Sequence, residues 1–370
     1  MAQQGAVAAD DYTVRLAQSE DREPFLSLYE EVWGRSRSEQ WFDWRFVDDP
    51  YAGAVEMVVA EHDETLVGAE PLLPMPLVVG GEPVDARQPV DWIVHPDHRR
   101  RGVFTRMTET LLSAFEDRAE LLFNFPTEAL RPGLEKFDWT TVSEQTTRYR
   151  IHDPDCLTAG GEGPSSTVRE LLCRVGAPVV RGSVGAIDLL TPSPGGVSVE
   201  RVDGVATDAI HTVYADTRPE AIHVPREPAF VDWRFANPRW ETATYVARRE
   251  GAPVATLVVA TASKPDATVG YLLDIQPMTT DPERAPAFAA ALDAALADLD
   301  VDAVQAPTTP YPAVLRRRGF LCDDNAVLSR FSTPATHVVR PLPEPDADGF
   351  ARDVFDDEEW LLTLGDRDIE

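Results

Sequence analysis

The sequence predicts an α/β chain made of two domains built alike. Three observations carry this. At 370 residues the chain is long for one ordinary domain and suited to two. Its first half holds a strand, a basic turn and an amphipathic helix between Val90 and Phe115. And Asp-Trp-Arg-Phe occurs twice, at Asp43 to Phe46 and at Asp232 to Phe235, 189 positions apart. A repeat at about half the chain length points to duplicated domains.

Each element has a local reason. Tyr12 to Leu16 reads as a strand. Ser19 suits a helix N-cap, with Glu20, Asp21 and Glu23 in the first turn and Pro24 early in the helix; Phe25, Leu28, Tyr29 and Val32 form its buried stripe. Trp41 to Phe46 follows. Val55 to Ala60 and Leu66 to Leu73 pair about the polar turn Glu61 to Glu64. Pro76 to Val79 and Val84 to Gln88 make a hairpin around Gly80-Gly81. Val90, Trp92 and Val94 alternate along the central strand, which ends at His95-Pro96 because proline has no N–H for a ladder. Arg99 to Gly102 turn, and Met107, Leu111, Leu112 and Phe115 recur at helical spacing. Leu121 to Phe125 is an apolar β run. Glu128 to Phe137 reads as a short helix, and Trp139 opens a further strand.

The second half restarts the pattern. Val197 to Val202, Thr244 to Ala247, Val254 to Ala260, Gly270 to Pro277 and Ala303 to Gln305 are its strands, and Pro286 to Leu299 is its long helix. The boundaries expected are a first domain over 1–154, a linker with a helix (Thr167 to Val180) over 155–196, a second domain over 197–333 and an acidic tail over 334–370. Within the tail, Trp360 to Asp366 is an apolar patch expected to dock.

Composition excludes several classes. The formal charge is −29, from 63 acidic and 34 basic residues, and Lys136 and Lys264 are the only lysines. Such acidity is in the style of salt-loving microbes, whose surfaces repel one another under strong screening. It also argues against nucleic acid, since no basic stripe offsets the repulsion of phosphates. Cys156, Cys173 and Cys322 form neither a disulfide framework nor a metal-ligand spacing, which suits a reducing cytoplasm. No leader opens the sequence, and the longest apolar run, Pro71 to Val79, is broken by Pro74 and Pro76, so no membrane span is expected.

Chemistry concentrates in the central turn. Amides before a helix start are unpaired and point outward, the helix dipole adds positive potential, Gly102 allows close approach, and Arg99, Arg100 and Arg101 supply bidentate donors. Together they suit a pyrophosphate. The second half has no such turn: Met278 to Arg284 contains acidic residues and no Arg-x-x-Gly. One working site per chain is therefore expected.

At these residues the sequence resembles the GNAT acetyltransferases. Their motif, Gln/Arg-x-x-Gly-x-Gly/Ala after a strand ending in Val-x-Pro, stands here as Val94-His95-Pro96 and Arg99 to Phe104, with Phe104 in place of the small residue. Lys136-Phe137-Asp138-Trp139 resembles a further family step, and Phe125-Pro126-Thr127 resembles a Phe-Pro-Asn found in one branch. The resemblance implies two tandem GNAT-like domains, each a mixed, mostly antiparallel sheet flanked by helices. It implies acetyl-CoA as co-substrate, held by Ile93, Val94, Arg99, Arg100, Arg101, Gly102, Val103, Phe104 and Thr105, with Asn124 and Thr127 at the next strand end. The acceptor would be a small-molecule or peptide amine. The second copy would support the acceptor site, pack against the first or form a homodimer.

For the proton from the amine, Asp91 is the first candidate base; the other reading is a structural aspartate bonded to a neighbouring element. Glu128 is a second candidate, and Glu70 a weaker one; a surface or capping role is the alternative for both. No tyrosine stands where many relatives keep one to protonate the thiolate. His95 and His98 with one aspartate in a turn make a weak metal set, and His95 reads as a capping or packing residue, so no metal is expected. Trp41, Trp44 and Trp233 read as core ahead of acceptor pocket, and Arg45 and Arg234 as partners of acidic neighbours. Two other functions fit the residues: an acyl-CoA-binding protein without catalysis, and a Fem-type aminoacyl transferase using charged tRNA.

Overall fold

The structure, a computed structural model, describes residues 11–153, 196–264, 267–279, 281–325, 328–330, 334–342 and 349–369. The linker and helix expected within 155–196, apart from Gly196, lie outside these residues, as do Cys156 and Cys173. Two compact units are present: Met1–Val142 with His337–Asp357, and Ser143–Thr336 with Glu358–Glu370.

The strands in chain order are β1 (Tyr12–Leu16), β2 (Met57–His62), β3 (Thr65–Pro74), β4 (Leu77–Val79), β5 (Glu82–Val84), β6 (Ala86–Pro89), β7 (Ile93–Val94), β8 (Leu121–Asn124) and β9 (Thr140–Gln145). They continue with β10 (Thr147–Ile151), β11 (Ser198–Asp203), β12 (Glu241–Arg249), β13 (Ala252–Lys264), β14 (Ala267–Gln276), β15 (Ala303–Pro307), β16 (Leu321–Cys322) and β17 (Ala335–Pro341).

The first sheet runs β1-β2-β3-β6-β8-β17-β9, with β7 also paired to β3. β6 and β8 are parallel; β1 with β2, β2 with β3, β3 with β6 and β8 with β17 are antiparallel. The β2–β3 hairpin closes at Asp63 and Glu64, both at positive φ (49° and 63°), which matches the right-handed strand twist. Helix α1 is Arg22–Trp33, α2 is Glu39–Phe42 running into a π-turn at Asp43–Val47, and α3 is Val103–Phe115. The apolar stripe of α3, Val103, Met107, Leu111 and Phe115, packs on Val58, Ala60, Val67, Leu72 and Leu122. Gly68 lets α3 lie close, since a Cβ there would stand 2.9 Å from Met107 Sδ.

The second sheet runs β11-β12-β13-β14-β15-β10-β16, with β14 and β15 parallel. The helix Ala285–Asp298 buries Phe288, Ala291, Leu292 and Ala295 against Tyr245, Leu257 and Leu272. In this unit Trp360, Leu361, Leu362 and Leu364 are buried, and Leu361 donates its N–H to Ile222 O, so the apolar patch docks as expected.

Four local expectations differ from the structure. α1 is preceded by a 3₁₀ turn over Ser19–Asp21 whose capping box is made by Gln18 and Asp21, not by Ser19. The central strand is broken: β6 ends at Pro89, β7 begins at Ile93, and Asp91 between them has φ +48°. The helix expected from Glu128 is shorter; α4 covers Arg131–Leu134, followed by a 3₁₀ turn to Phe137. And 334–370 is not simply a tail, since β17 pairs with β8 inside the first sheet, Val338 opposite Asn124 and Val339 opposite Phe123. Two adjacent valines suit this insertion: Val338 and Val339 face opposite sides of the sheet and both are buried.

Candidate acyl-CoA site

The basic turn is fixed at both ends. His95 donates its N–H to Val67 O at 2.8 Å, and Pro96–His98 form a 3₁₀ turn with Pro96 at its start. Arg99 folds back, its Nε donating to Val94 O at 2.9 Å. Arg100 (φ +60°) and Gly102 (φ +82°) take the left-handed conformation, and Gly102 is the N-cap of α3. The first bond inside the helix is Arg106 N–H to Gly102 O at 3.1 Å. The N–H groups of Val103, Phe104 and Thr105 therefore have no intrahelical acceptor, and no cap side chain covers them. A Cβ on Gly102 would meet nothing within 4 Å, so the space above these amides is open. Arg99, Arg100, Gly102 and Thr105 are exposed, Arg101 is half-buried, and Val103 is core. Thus Val103 can contribute its amide but not its side chain.

Phe104 is accommodated by its surroundings. Its ring lies 5.9 Å from Trp92 and 6.2 Å from Phe137, centroid to centroid, and occupies the space that a side chain on Gly133 would need.

Beside the turn the two parallel strands separate. β6 and β8 are in register at Ala86–Leu121 and Arg87–Leu122, whereas β7 pairs with β3 at Gly68–Val94 and Ala69–Ile93. Backbone groups alternate in direction along a strand. With the His95 amide on β3, the Val94 amide and carbonyl face the other way, and the Arg99 guanidinium is found on that carbonyl. Val94 therefore presents an N–H toward the gap, while Ile93 turns its own toward β3. Asn124, at the end of β8, is buried and accepts the Phe125 N–H on Oδ1 at 2.6 Å. Thr127 is exposed, and its carbonyl accepts from Leu130 and Arg131.

The expected bases are placed differently from one another. Asp91 is bound by Arg45, whose Nε and Nη2 each approach Oδ2 at 2.9 Å. Glu128 is exposed, in the turn before α4. Glu70 is not a surface residue. It is fully buried on β3, accepts the Thr108 hydroxyl at 3.0 Å, and burial pushes its carboxyl well above the usual range. Trp41, Trp44 and Trp233 are buried in their cores. Arg45 does pair with an acidic neighbour, whereas Arg234 donates to the carbonyls of Gly365 and Arg367 at 2.8 and 2.6 Å.

Sequence reasoning missed two features. Behind the turn, His98 accepts or donates one hydrogen bond with the Tyr12 hydroxyl at 3.0 Å, and its ring lies 5.1 Å from His62 and 5.7 Å from His95. Burial, together with His62, Arg101 and His95, lowers the His98 proton affinity. At the far side of the strand gap, His337 on β17 is buried and stacks on Phe125 at 5.1 Å. The β-branched residues Thr336, Val338 and Val339 were the available signal for that strand. Among the described residues, no group of three or more His, Cys, Asp or Glu side chains could hold a metal ion, and no helix is long and apolar enough to cross a membrane.

Residues 13–142 match the family described as acetyltransferase (GNAT) domain. No curated protein matches the chain. Among solved structures, a GCN5-related N-acetyltransferase from Anabaena variabilis is similar with a TM-score of 0.60 at 12% identity, over 89% of this chain and 72% of that one. A tandem GNAT protein from the clavulanic acid biosynthesis pathway is similar with a TM-score of 0.54 at 14% identity, over 91% of this chain and all (100%) of that one. N-myristoyltransferase from Saccharomyces cerevisiae, with bound myristoyl-CoA, is similar with a TM-score of 0.54 at 11% identity, over 95% of this chain and 89% of that one. At these identities the likeness shows the fold.

Proposed function

We propose that this chain, whose residues 13–142 match a family described as acetyltransferase (GNAT) domain, transfers an acetyl group from acetyl-CoA to an amine, at a single site in the first unit. The observation that carries this reading is the open row of amides at Val103, Phe104 and Thr105, capped by Gly102 and flanked by three arginines, next to the outward amide of Val94.

The pyrophosphate would lie on the α3 amides, where dipole and guanidinium groups favour its charge. The pantetheine arm would follow the open edge of β7 into the strand gap. The amine nitrogen, as a free base, attacks the thioester carbonyl carbon. The carbonyl oxygen becomes anionic, and the Val94 N–H is the donor nearest that position. Collapse breaks the C–S bond and releases CoA thiolate, which takes up a proton as the new amide loses one.

A second reading, acyl-CoA binding without transfer, is favoured by one observation: Asp91 is engaged by Arg45 and Glu128 is exposed, so neither expected base stands ready. Free-thiol release from acetyl-CoA in the presence of a panel of amines separates the two. Thiol release with mass-identified acetylated product supports transfer. Tight binding without release supports the second reading, and absence of binding removes both.

A further inference from the structure

The two copies lose strand register at the same place, by a break between β6 and β7 in the first and by a bulge against the continuous β14 in the second. Counted from the hairpin turns, Pro71 of β3 corresponds to Val258 of β13. In the first copy Leu72 pairs with Pro89 and Ala69 with Ile93, so Glu70 and Pro71 face three residues, with Asp91 in the middle. In the second copy Val258 pairs with Asp274 and Val259 with Leu272, leaving Leu273 as the extra residue. An aspartate therefore stands at both breaks.

Both aspartates are held by a buried arginine that lies against an aromatic ring. Arg45, only 1% exposed in its side chain, sits 5.5 Å from the Trp41 ring centre and binds Asp91. Arg226 sits 5.5 Å from the Phe230 ring centre and donates through Nε to Asp274 at 2.8 Å, both side chains being fully buried. The arginines are not equivalent in sequence. Arg45 belongs to the repeated Asp-Trp-Arg-Phe, whose second arginine, Arg234, serves the carbonyls of Gly365 and Arg367 instead. Two different arginines thus reach the corresponding aspartate, Arg226 binding Asp366 as well, and the second copy keeps this pairing without the Arg-x-x-Gly turn. A proton acceptor for an amine would not need to be retained there. A clamp on the strand break would.

We infer that Arg45 and Asp91 are positioning residues: their ion pair holds the strand break so that the Val94 amide faces the acyl donor, and Asp91 is not the base. This rests on the acyl-CoA reading above. The physical need is clear. Asp91 sits at φ +48°, a conformation that side chains other than glycine adopt at a cost, and an ion pair buried from water fixes it. Losing either partner removes this ion pair from a largely buried site, where charge is costly to leave less well compensated.

The test uses the full-length protein and two probes. Acetyl-CoA reports the whole donor site; 3′-phospho-ADP carries the pyrophosphate but lacks the pantetheine arm. In Asp91→Asn and in Arg45→Met, acetyl-CoA affinity should fall about tenfold while 3′-phospho-ADP binds as in wild type, and the double variant should be no worse than either single one. Asp91→Gly, which suits the backbone angle, and Arg45→Lys provide the same comparison if a first variant does not fold by its melting curve. Across pH, any thiol release by Asp91→Asn should keep the acid limb of the wild-type profile. Unchanged acetyl-CoA affinity in these variants, or loss of that limb in Asp91→Asn alone, overturns the inference while leaving the acyl-CoA reading intact. Failure of wild type to bind acetyl-CoA overturns both.

Discussion

Gly133 lies against Phe104: a Cβ built on Gly133 would stand 2.8 Å from Phe104 Cε1. The ring cannot swing clear, since Trp92 and Phe137 hold it on other sides. Gly133→Ala gains up to about 1 kcal/mol of helix propensity but overpacks a ring, a cost of about 1–3 kcal/mol. The clash should prevail. A lower melting temperature together with weaker acetyl-CoA binding is expected; a more stable variant would show that Phe104 yields.

The turn itself gives the sharpest variant. Gly102→Ala meets no neighbour, so its cost is confined to the backbone at φ +82°, about 1–2 kcal/mol. Arg101→Glu with Gly102→Asp adds repulsion to that strain and should abolish acetyl-CoA binding in a calorimeter. Retained binding would place the diphosphate elsewhere.

Coenzyme binding should also be linked to protons. His98 faces Tyr12 on β1, His62 and, beyond it, Asp63 of the hairpin, with His95, Asp97 and Arg101 from its own segment; Arg106 of α3 binds the Tyr12 carbonyl, and Glu31 of α1 lies 3.6 Å from His95. Its proton affinity is lowered by burial and by like charges, Arg101 among them. An anion on the turn offsets the Arg101 charge and raises that affinity again. Acetyl-CoA should therefore bind more tightly as pH falls below about 6.5, with proton uptake there visible as a buffer-dependent enthalpy. His98→Gln should remove the dependence. For the free protein the sign is opposite: a depressed histidine stabilises the fold above its unfolded value near 6.5, and that contribution is lost as pH falls below it.

Asp49 makes a second titration. Its carboxyl is buried, accepts the Tyr51 and Ala52 amides, and is pushed up to about 6 by burial and by nearby Glu56. A raised carboxyl costs stability as pH climbs from its unfolded value to about 6, here by about 3 kcal/mol. Asp49→Asn keeps an acceptor for both amides. It should be more stable than wild type at pH 7.5 and lose that advantage near pH 4. A constant difference across pH would contradict this.

The net charge of −29 predicts a salt response. Unscreened repulsion should lower the melting temperature in dilute buffer, and molar KCl should raise it. Equal melting temperatures at both extremes would refute the expectation.

Much of this was readable in the sequence where the signal was local. Tyr12–Leu16 is the first strand to the residue, the hairpins close where their turn residues stand, and Arg99 to Gly102 forms the turn before α3. What escaped was set by distant partners. Nothing around Asp91 announces an arginine forty-six positions earlier, and nothing around Glu70 announces the Thr108 hydroxyl that accompanies it into the core. Phe104 looked like a departure from the family motif because the compensating Gly133 lies on another element. The strand Ala335–Pro341 was hidden by acidic, proline-rich neighbours, although Thr336, Val338 and Val339 favour a strand.

That last strand bears on how the protein is made. β17 pairs with β8 within the unit that also holds the basic turn. During synthesis the amino-terminal half emerges with this place in its sheet still empty, and must wait for most of the remaining polypeptide before it is filled. A chain cut ahead of residue 335 leaves β8 with an unpaired edge in that sheet, and such a product should melt at a lower temperature and aggregate more readily than the full-length protein.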